Sequence, residues 1–465
     1  MSADGGQGWP AGPHPPSTRR RPPHRGTDRE ILRLALPALG ALVAEPLYLL
    51  ADSAVVGTLG TAPLAGLGLA GTVLTTAVGL CVVLAYGTTA TVSRRLGAGD
   101  LDGALRAGLD GMWLGLVAGV GLAVAGVLGA PALLRAMGAS ADVLPHAVAY
   151  LRVSALGLPA MLLVLAATGV LRGLQDTRTP LVVAVWSAAG NAVLSAVLVL
   201  GLGLGVAGSA AATVVAQVAA AAAYLAVLGP ALRRSGVPLR PRAAGLRRTA
   251  SKGGLLLLRT ATLRAALVGA TVVATSMGDE ELAAHHVVLL VWSLLALVLD
   301  AVAIAAQALT GRSLGAGDAA GTRTTTRRMV QWGAAGGVLM GLVVLASAPL
   351  LPALFSSDPD VRRLMTAALV VAGLLQPVAG VVFVLDGVLI GAGDDRYLAL
   401  AGLLPLAAFA AAAGAVVLLG AGLSALWWAV GALMAARLGV LALRARGDRW
   451  LVLGADGVVE HGRRR

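Results

Sequence analysis

The sequence predicts an all-α integral membrane protein with twelve transmembrane helices in two parallel-repeat six-helix lobes. Three observations carry that expectation. The 465 residues are 57% hydrophobic and only 13% charged, against roughly 25% charged in an average soluble domain. Twelve apolar runs lie along the chain, each near the ~20 residues that cross a bilayer. The second six runs repeat the first: "LGAGD" at Leu96–Asp100 returns at Leu314–Asp318, and "GVLRGLQDTR" at Gly169–Arg178 returns as "GVLIGAGDDR" at Gly387–Arg396, both at an offset of 218 residues. Pro131 with Pro349 and Pro159 with Pro377 keep the same register. One gapless offset over most of a chain is the mark of a duplication.

In chain order, the first set of runs falls near 31–57, 64–90, 108–134, 147–171, 181–203 and 207–229, and the second near 254–277, 282–308, 329–352, 364–390, 398–420 and 422–443. The expected organisation is a disordered Pro/Gly/Arg-rich tail over 1–30, a first lobe over 31–229, a basic connector over 230–252, a second lobe over 253–443 and a tail over 444–465. Arg19–Arg21 are followed by two prolines and a full-length span, so this run reads as a retained first helix rather than a cleaved signal. Six spans per copy place both copies in the membrane with the same orientation, related by an axis along the membrane normal. The amino tail, the 94–106 and 312–328 loops, the connector, Arg172, Arg178, Arg396 and the carboxy tail put most basic residues on one side. By the positive-inside rule both termini are then cytoplasmic, in a multi-pass protein of the cytoplasmic membrane.

Composition also excludes. The net charge is +13, but the basic residues fall in short clusters between apolar runs, and aromatics are 3% of the chain. That suits loops beside anionic headgroups, not a nucleic-acid surface. The single Cys81 forms no intrachain disulfide. The single lysine, Lys252, follows a serine and lies in no phosphate-binding loop, so ATP hydrolysis by this chain drives nothing. "GLGLAG" (66–71) and "GLGVAG" (203–208) satisfy a dinucleotide fingerprint but sit in Gly/Ala-rich spans, where close helix packing explains them. His285 and His286 read as a solvated interfacial pair without a third metal ligand. No cofactor, nucleic acid or partner subunit is expected; the chain reads as a monomer that meets lipid and a small organic substrate.

The polar residues inside the spans point to chemistry. An acid at the centre of a membrane helix costs about 3 kcal/mol on insertion scales, yet the first span carries Glu45 and Asp52 two helical turns apart, with Tyr48 between them and Pro37 and Pro46 as bending points. Ser187, Asn191 and Ser195 make a stripe on span five, and Ser209, Thr213 and Gln217 make one on span six. Three stripes facing a common interior would surround the acids with hydroxyls. A carboxyl group in poorly solvated surroundings can take up a proton and lose its charge without an ATPase. In the second half, Ser293, Asp300 and Gln307 share a face of span eight, and Thr260, Arg264, Thr271 and Thr275 line span seven. Arg264 and Asp300 are a candidate pair, Gln376 beside Pro377 marks an expected break in span ten, and Asp386 reads as a structural loop anchor. Tyr48, Ser187, Ser195, Gln217, Arg264, Asp300, Gln307 and Gln376 are the candidate substrate-cavity residues.

"LALPALGALVAEPLYLLADSAVVGTLG", "RRLGAGD", "GVLRGLQDTRTP", "MGDEELAAHHV" and "FVLDGVLIGAGDDRYL" resemble the multidrug and toxic compound extrusion (MATE) transporters, and within them the branch named after DNA-damage-inducible protein F. The resemblance covers nearly the whole chain after about residue 30. It implies two six-helix lobes around a central cavity and cation-coupled export of organic compounds. It further implies that Asp52 binds the coupling proton, that Asn191 and Thr213 belong to the polar network of the first lobe, and that the first helix bends at Pro37. Ser195 departs from the pattern, since many relatives have an acid four residues after the asparagine. Glu45 is the candidate second acid, and sodium is the alternative coupling ion. A lipid-linked oligosaccharide flippase of the same superfamily is the alternative function, and the absence of a convergent nucleophile–base set speaks against an enzyme.

Overall fold

The computed structural model describes residues 23–455, and all regular secondary structure among them is helical. The first lobe comprises α1 (Pro23–Gly57), α2 (Thr61–Cys81), α3 (Val83–Gly97), α4 (Leu101–Ala136), α5 (Leu144–Ala155), α6 (Leu158–Gly173), α7 (Arg178–Ala196) with a π-helical continuation (Val197–Gly201), and α8 (Gly205–Arg234). The second comprises α9 (Ala243–Met277), α10 (Asp279–Gly315), α11 (Ala319–Ser347), the short α12 (Pro352–Phe355), α13 (Pro359–Gly391), α14 (Asp395–Ala401), α15 (Leu403–Leu418) and α16 (Leu423–Arg446). Among the described residues eleven helical stretches are long and apolar enough to cross a membrane, and the pair α5–α6, bent by 50°, makes a twelfth if it is one span.

The repeat survives folding in register. The stretch α2–α3 spans 61–97 and α10 spans 279–315, the same interval moved by 218 residues. Asp100 caps α4 by accepting from the Gly103 N–H at 2.8 Å, and Asp318 caps α11 by accepting from Gly321 at 2.7 Å. Gly115 and Gly119 let α4 approach the backbone of α6 at Leu162 and Pro159; Gly333 and Gly337 let α11 approach α13 at Gly380 and Pro377. Small residues permit such backbone proximity in membrane helices.

The lobes meet along α3 and α10 in the half of the molecule that carries the basic loops. A methyl group on Gly97 would overlap the Arg312 carbonyl, and one on Gly315 would overlap the Arg94 carbonyl. Arg94 and Arg312 are themselves 218 apart, so the contact is self-complementary, as a two-fold axis between the copies requires. All lobe-to-lobe hydrogen bonds and ion pairs described lie in this half, from Tyr86–Asp300 at mid-depth to Glu30–Arg312 at the rim. After α16 the chain turns back beneath the junction. Trp450 is buried, Gly454 donates its N–H to the Leu314 carbonyl at 3.0 Å, and Arg94 donates to the carbonyls of Gly454 (2.8 Å), Ala392 (2.6 Å) and Val452. Gly97→Val should therefore lower the melting midpoint of the purified protein by the equivalent of about 1–3 kcal/mol of overpacking. Gly121→Val, where nothing lies within 4 Å of an added Cβ, should leave it unchanged; equal effects would mean the seam is not tightly closed.

Several expectations need correction. Helix α1 begins at Pro23, inside the region read as tail, because Asp28 is held by Arg328 and by Trp332 Nε1 at 2.8 Å; residues 1–22 and 456–465 of the two expected tails lie outside the described residues. The connector is shorter than 230–252, because α8 runs to Arg234 and α9 starts at Ala243. Hydropathy does not register such polar helix ends. Pro37 and Pro46 lie inside a continuous helix. Pro37 supplies no N–H for the Arg33 carbonyl, and the Thr177 hydroxyl donates to that carbonyl at 3.4 Å instead. Helix α13 is likewise continuous through Pro377, and the sharp bend falls at Leu156–Gly157 between α5 and α6.

Candidate functional site

Asp52 lies in α1 with 1% of its surface exposed. Its Oδ1 accepts hydrogen bonds from the hydroxyls of Ser195 (2.8 Å) and Ser209 (2.6 Å), and its Oδ2 accepts one from Tyr150 (3.2 Å). Ser195, Ser209 and Tyr150 are buried too. Among the described residues no cation pairs with this carboxylate.

The local chain path explains the cluster. Helices α7 and α8 form a hairpin whose turn has left-handed backbone at Gly203 (φ 65°) and Gly205 (φ 60°), a conformation that favours glycine. From that turn the two polar stripes run side by side. Ser195 and Ser209 face each other across Asp52. One turn further along, Asn191 Nδ2 donates to Thr213 Oγ1 at 2.9 Å, and beyond it Ser187 donates to the Ala216 carbonyl at 3.3 Å. The π-helical turn at Val197–Gly201 lies between Ser195 and the hairpin turn; such insertions are frequent at functional sites. Asn191 Oδ1 is buried without a hydrogen-bond partner.

Hydroxyls suit a site whose charge changes. Each can donate to a carboxylate, and each can rotate to accept from a carboxylic acid. The same oxygens, with Asn191 Oδ1, are hard donors of the kind a small cation takes.

The structure brings together Asp52, Asn191, Ser195 and Thr213, as the sequence stripes anticipate, and leaves Glu45 outside. Glu45 is exposed on α1 and makes none of the contacts to the Asp52 cluster; Tyr48 stands between the two acids within electrostatic reach of both. Sequence reasoning did not assign Tyr150. A signal was available: the chain has five tyrosines, and two of them, Tyr150 and Tyr86, donate to the intramembrane acids Asp52 and Asp300.

The equivalent positions of the second lobe are apolar. The 218-residue register places Ala270, Ala368, Phe409, Ala413 and Trp427 opposite Asp52, Tyr150, Asn191, Ser195 and Ser209, and all five are buried in the core of the second lobe. The polar site belongs to one copy.

The second lobe has a charged network of different design. Asp386 accepts from Arg259 Nε at 3.0 Å and from Arg437 Nη2 at 3.1 Å, with all three residues deep among α9, α13 and α16. It ties helices together instead of anchoring a loop. Asp300 accepts from Tyr86 at 3.1 Å, across the lobe boundary, with Arg172 and Arg259 in electrostatic reach. The Arg264–Asp300 pair is not formed; the Arg264 guanidinium instead lies against α2 at Gly79. Gln307 donates to the Tyr86 carbonyl, Gln376 to the Ala372 carbonyl and Gln217 to Met161 Sδ, so these three glutamines are engaged in helix packing. His285 is buried against Thr271 Oγ1 (3.3 Å) and the Trp427 ring, not solvated, whereas His286 is exposed.

A profile of the MatE family matches residues 37–198 and 267–406. The Arabidopsis thaliana chloroplastic protein DETOXIFICATION 44 is 33% identical over 385 residues, covering 80% of this chain and 73% of that one. DNA damage-inducible protein F of Escherichia coli is 28% identical over 377 residues, covering 79% and 81%. A solved MATE transporter of Vibrio cholerae superposes with a TM-score of 0.83 at 20% identity, over 93% of this chain and 100% of that one.

Proposed function

The chain belongs to the MatE family of multidrug and toxic compound extrusion transporters, and we propose that it is a secondary antiporter of the cytoplasmic membrane that exports small organic compounds, cationic or amphipathic, in exchange for protons. The observation that carries this reading is Asp52: a carboxylate buried at mid-span, held by three hydroxyls and paired with no cation among the described residues. A purely structural carboxylate at that depth would be expected to have an arginine, as Asp386 does. Asp52 has groups that tolerate both of its charge states.

The lobe-to-lobe hydrogen bonds and ion pairs described lie in the basic half, which charge placement marks as the cytoplasmic side. On that reading the proposed cycle starts from an outward-facing state. In the proposed cycle a proton enters from outside, reaches Asp52, and removes its charge. The new O–H donates to one of the Ser195, Ser209 and Tyr150 hydroxyls, which turns from donor to acceptor while the other two keep donating, and this alters how α1 is held against α7, α8 and α5. Substrate leaves, the seam along α3 and α10 parts, and the proton is lost on the other side. Rocking of two repeats about a midplane site is the general design of such carriers.

Proteoliposomes with an imposed pH gradient, assayed for export of a fluorescent organic cation with and without sodium, test the proposal. Export that follows the pH gradient in sodium-free buffer supports it; export that requires sodium and ignores pH refutes proton coupling. Sodium remains the second reading because the unpartnered Asn191 Oδ1, beside Thr213, is an acceptor a sodium ion would occupy.

The geometry also orders the neighbours. Ser195→Ala removes a buried donor from Asp52, worth about 1.5–3 kcal/mol for a hydrogen bond to a charged group, and should slow pH-driven export roughly tenfold or more. Glu45→Gln, outside the cluster, should change it less. The sequence offered Glu45 as the candidate second acid; the hydrogen bond to Asp52 comes instead from Ser195. Comparable initial rates of pH-driven uptake for Ser195→Ala and wild type would contradict it.

A further inference from the structure

A cavity of about 740 Å³ lies at the basic end between the lobes. Helices α3 and α4 supply one wall; the start of α9, the 391–395 turn and the chain after α16 supply the other. Its charge is unbalanced. Seven basic residues line it and only three acids do, Asp110, Asp394 and Asp395. Most of these charges can be assigned. Arg94 clasps backbone carbonyls of the returning tail, and Arg95 pairs with Asp100. Arg106 pairs with Asp110 at 3.1 Å, and Asp394 is taken by Arg444 from outside the cavity. Lys252 faces Asp395. Arg242 and Arg248 remain, both within electrostatic reach of the already paired Asp110, together with Arg449; among the described residues none of the three has a carboxylate of its own. They are exposed, and so open to a ligand, while Asp110 beneath them is buried.

From this arrangement we infer that the cavity is an anion site that binds a phosphate group. Arginine forks suit phosphate oxygens in paired hydrogen bonds, and a concave low-dielectric wall strengthens the attraction. Two sources share that chemistry: the headgroup of an anionic lipid, because the site opens at the end that faces the headgroups, and a soluble phosphate anion. Either would tie the start of α9, through Arg242 and Arg248, to the returning tail at Arg449, and so favour the state in which that tail lies under the seam.

The test uses the full chain and reads the melting midpoint. Inorganic pyrophosphate is titrated into protein in neutral detergent, and in parallel the protein is placed in nanodiscs of phosphatidylcholine with and without phosphatidylglycerol. Saturable stabilisation by pyrophosphate identifies a soluble anion; stabilisation by phosphatidylglycerol alone identifies a lipid headgroup. In either case the double variant Arg242→Gln with Arg248→Gln should weaken the response about tenfold or more, Arg449→Gln should weaken it partially, and Arg327→Gln, exposed on α11 away from the cavity, should not. The single Arg449→Gln variant keeps the test intact if the double variant folds poorly. No stabilisation by either probe, or equal weakening by Arg327→Gln, overturns the assignment.

Discussion

Asp52→Asn protein is expected to fold, insert and bind substrate, yet fail to accumulate it against a pH gradient. Asparagine matches aspartate in shape. Its amide oxygen can accept from Ser195 and Ser209, and its amide nitrogen can donate to the Tyr150 hydroxyl, so the three hydrogen bonds around position 52 have partners after the change. What is lost is the ability to exchange a proton. Each pH unit is a factor of ten in proton activity, about 1.4 kcal/mol. One-for-one exchange across two units therefore supports accumulation on the order of a hundredfold, which the variant should reduce to about unity. The measurement is the steady-state substrate ratio across proteoliposomes, alongside the melting midpoint. A variant with wild-type accumulation would make Asp52 a structural residue and end the proposed mechanism.

The second large effect is on stability. Asp386→Ala should abolish recovery of folded protein. The change leaves Arg437 buried and Arg259 mostly so, with no carboxylate between them, and breaking a buried ion pair by removing one partner costs about 3–5 kcal/mol. That is a large share of the ~5–15 kcal/mol that separates most folded proteins from unfolding. If the cost is charge burial rather than lost packing, the combined variant Arg259→Met, Asp386→Leu, Arg437→Met should recover much of the loss, since a well-packed apolar replacement of an ion cluster is often neutral. The check is the fraction of monodisperse protein on gel filtration and its melting midpoint. A single Asp386→Ala variant as stable as wild type would show that the network does not hold α9, α13 and α16 together.

Much of this architecture is legible in the chain. The twelve spans, the duplication and the depth of Asp52 follow from hydropathy and from one numerical offset, because those signals are local or periodic. The partners of the acids are neither. Tyr150 and Ser209 lie 98 and 157 residues from Asp52, and no spacing rule links a tyrosine on α5 to an acid on α1. Arg264 looked like the partner of Asp300 because both fall on polar stripes; the choice of Tyr86 depends on how α3 crosses α10, which only packing decides. One proline misled in the same way. Pro377 suggested a break, but α13 runs through it, and the sharp bend formed at Leu156–Gly157. The offset held one further clue: applied to Asp52, it points to Ala270, and an alanine opposite an acid already says that the copies have divided their labour.

Gly97 and Gly315 close the two halves with backbone against backbone, and this sets how easily that end can come apart. A joint filled by large apolar side chains would have to expose them on opening, at about 25 cal/mol for every Å². Beside the backbone seam this joint does carry an apolar belt, in which Ile31, Leu34 and Val83 of the first lobe share a buried cluster with Leu309 and Leu314 of the second. What must be given up there is a set of contacts to carbonyl groups, chiefly those of Arg94, and water entering at the same end can replace each of them. The latch is thus of two kinds: carbonyl contacts that water can take over, and an apolar belt whose exposure sets the resistance to turning.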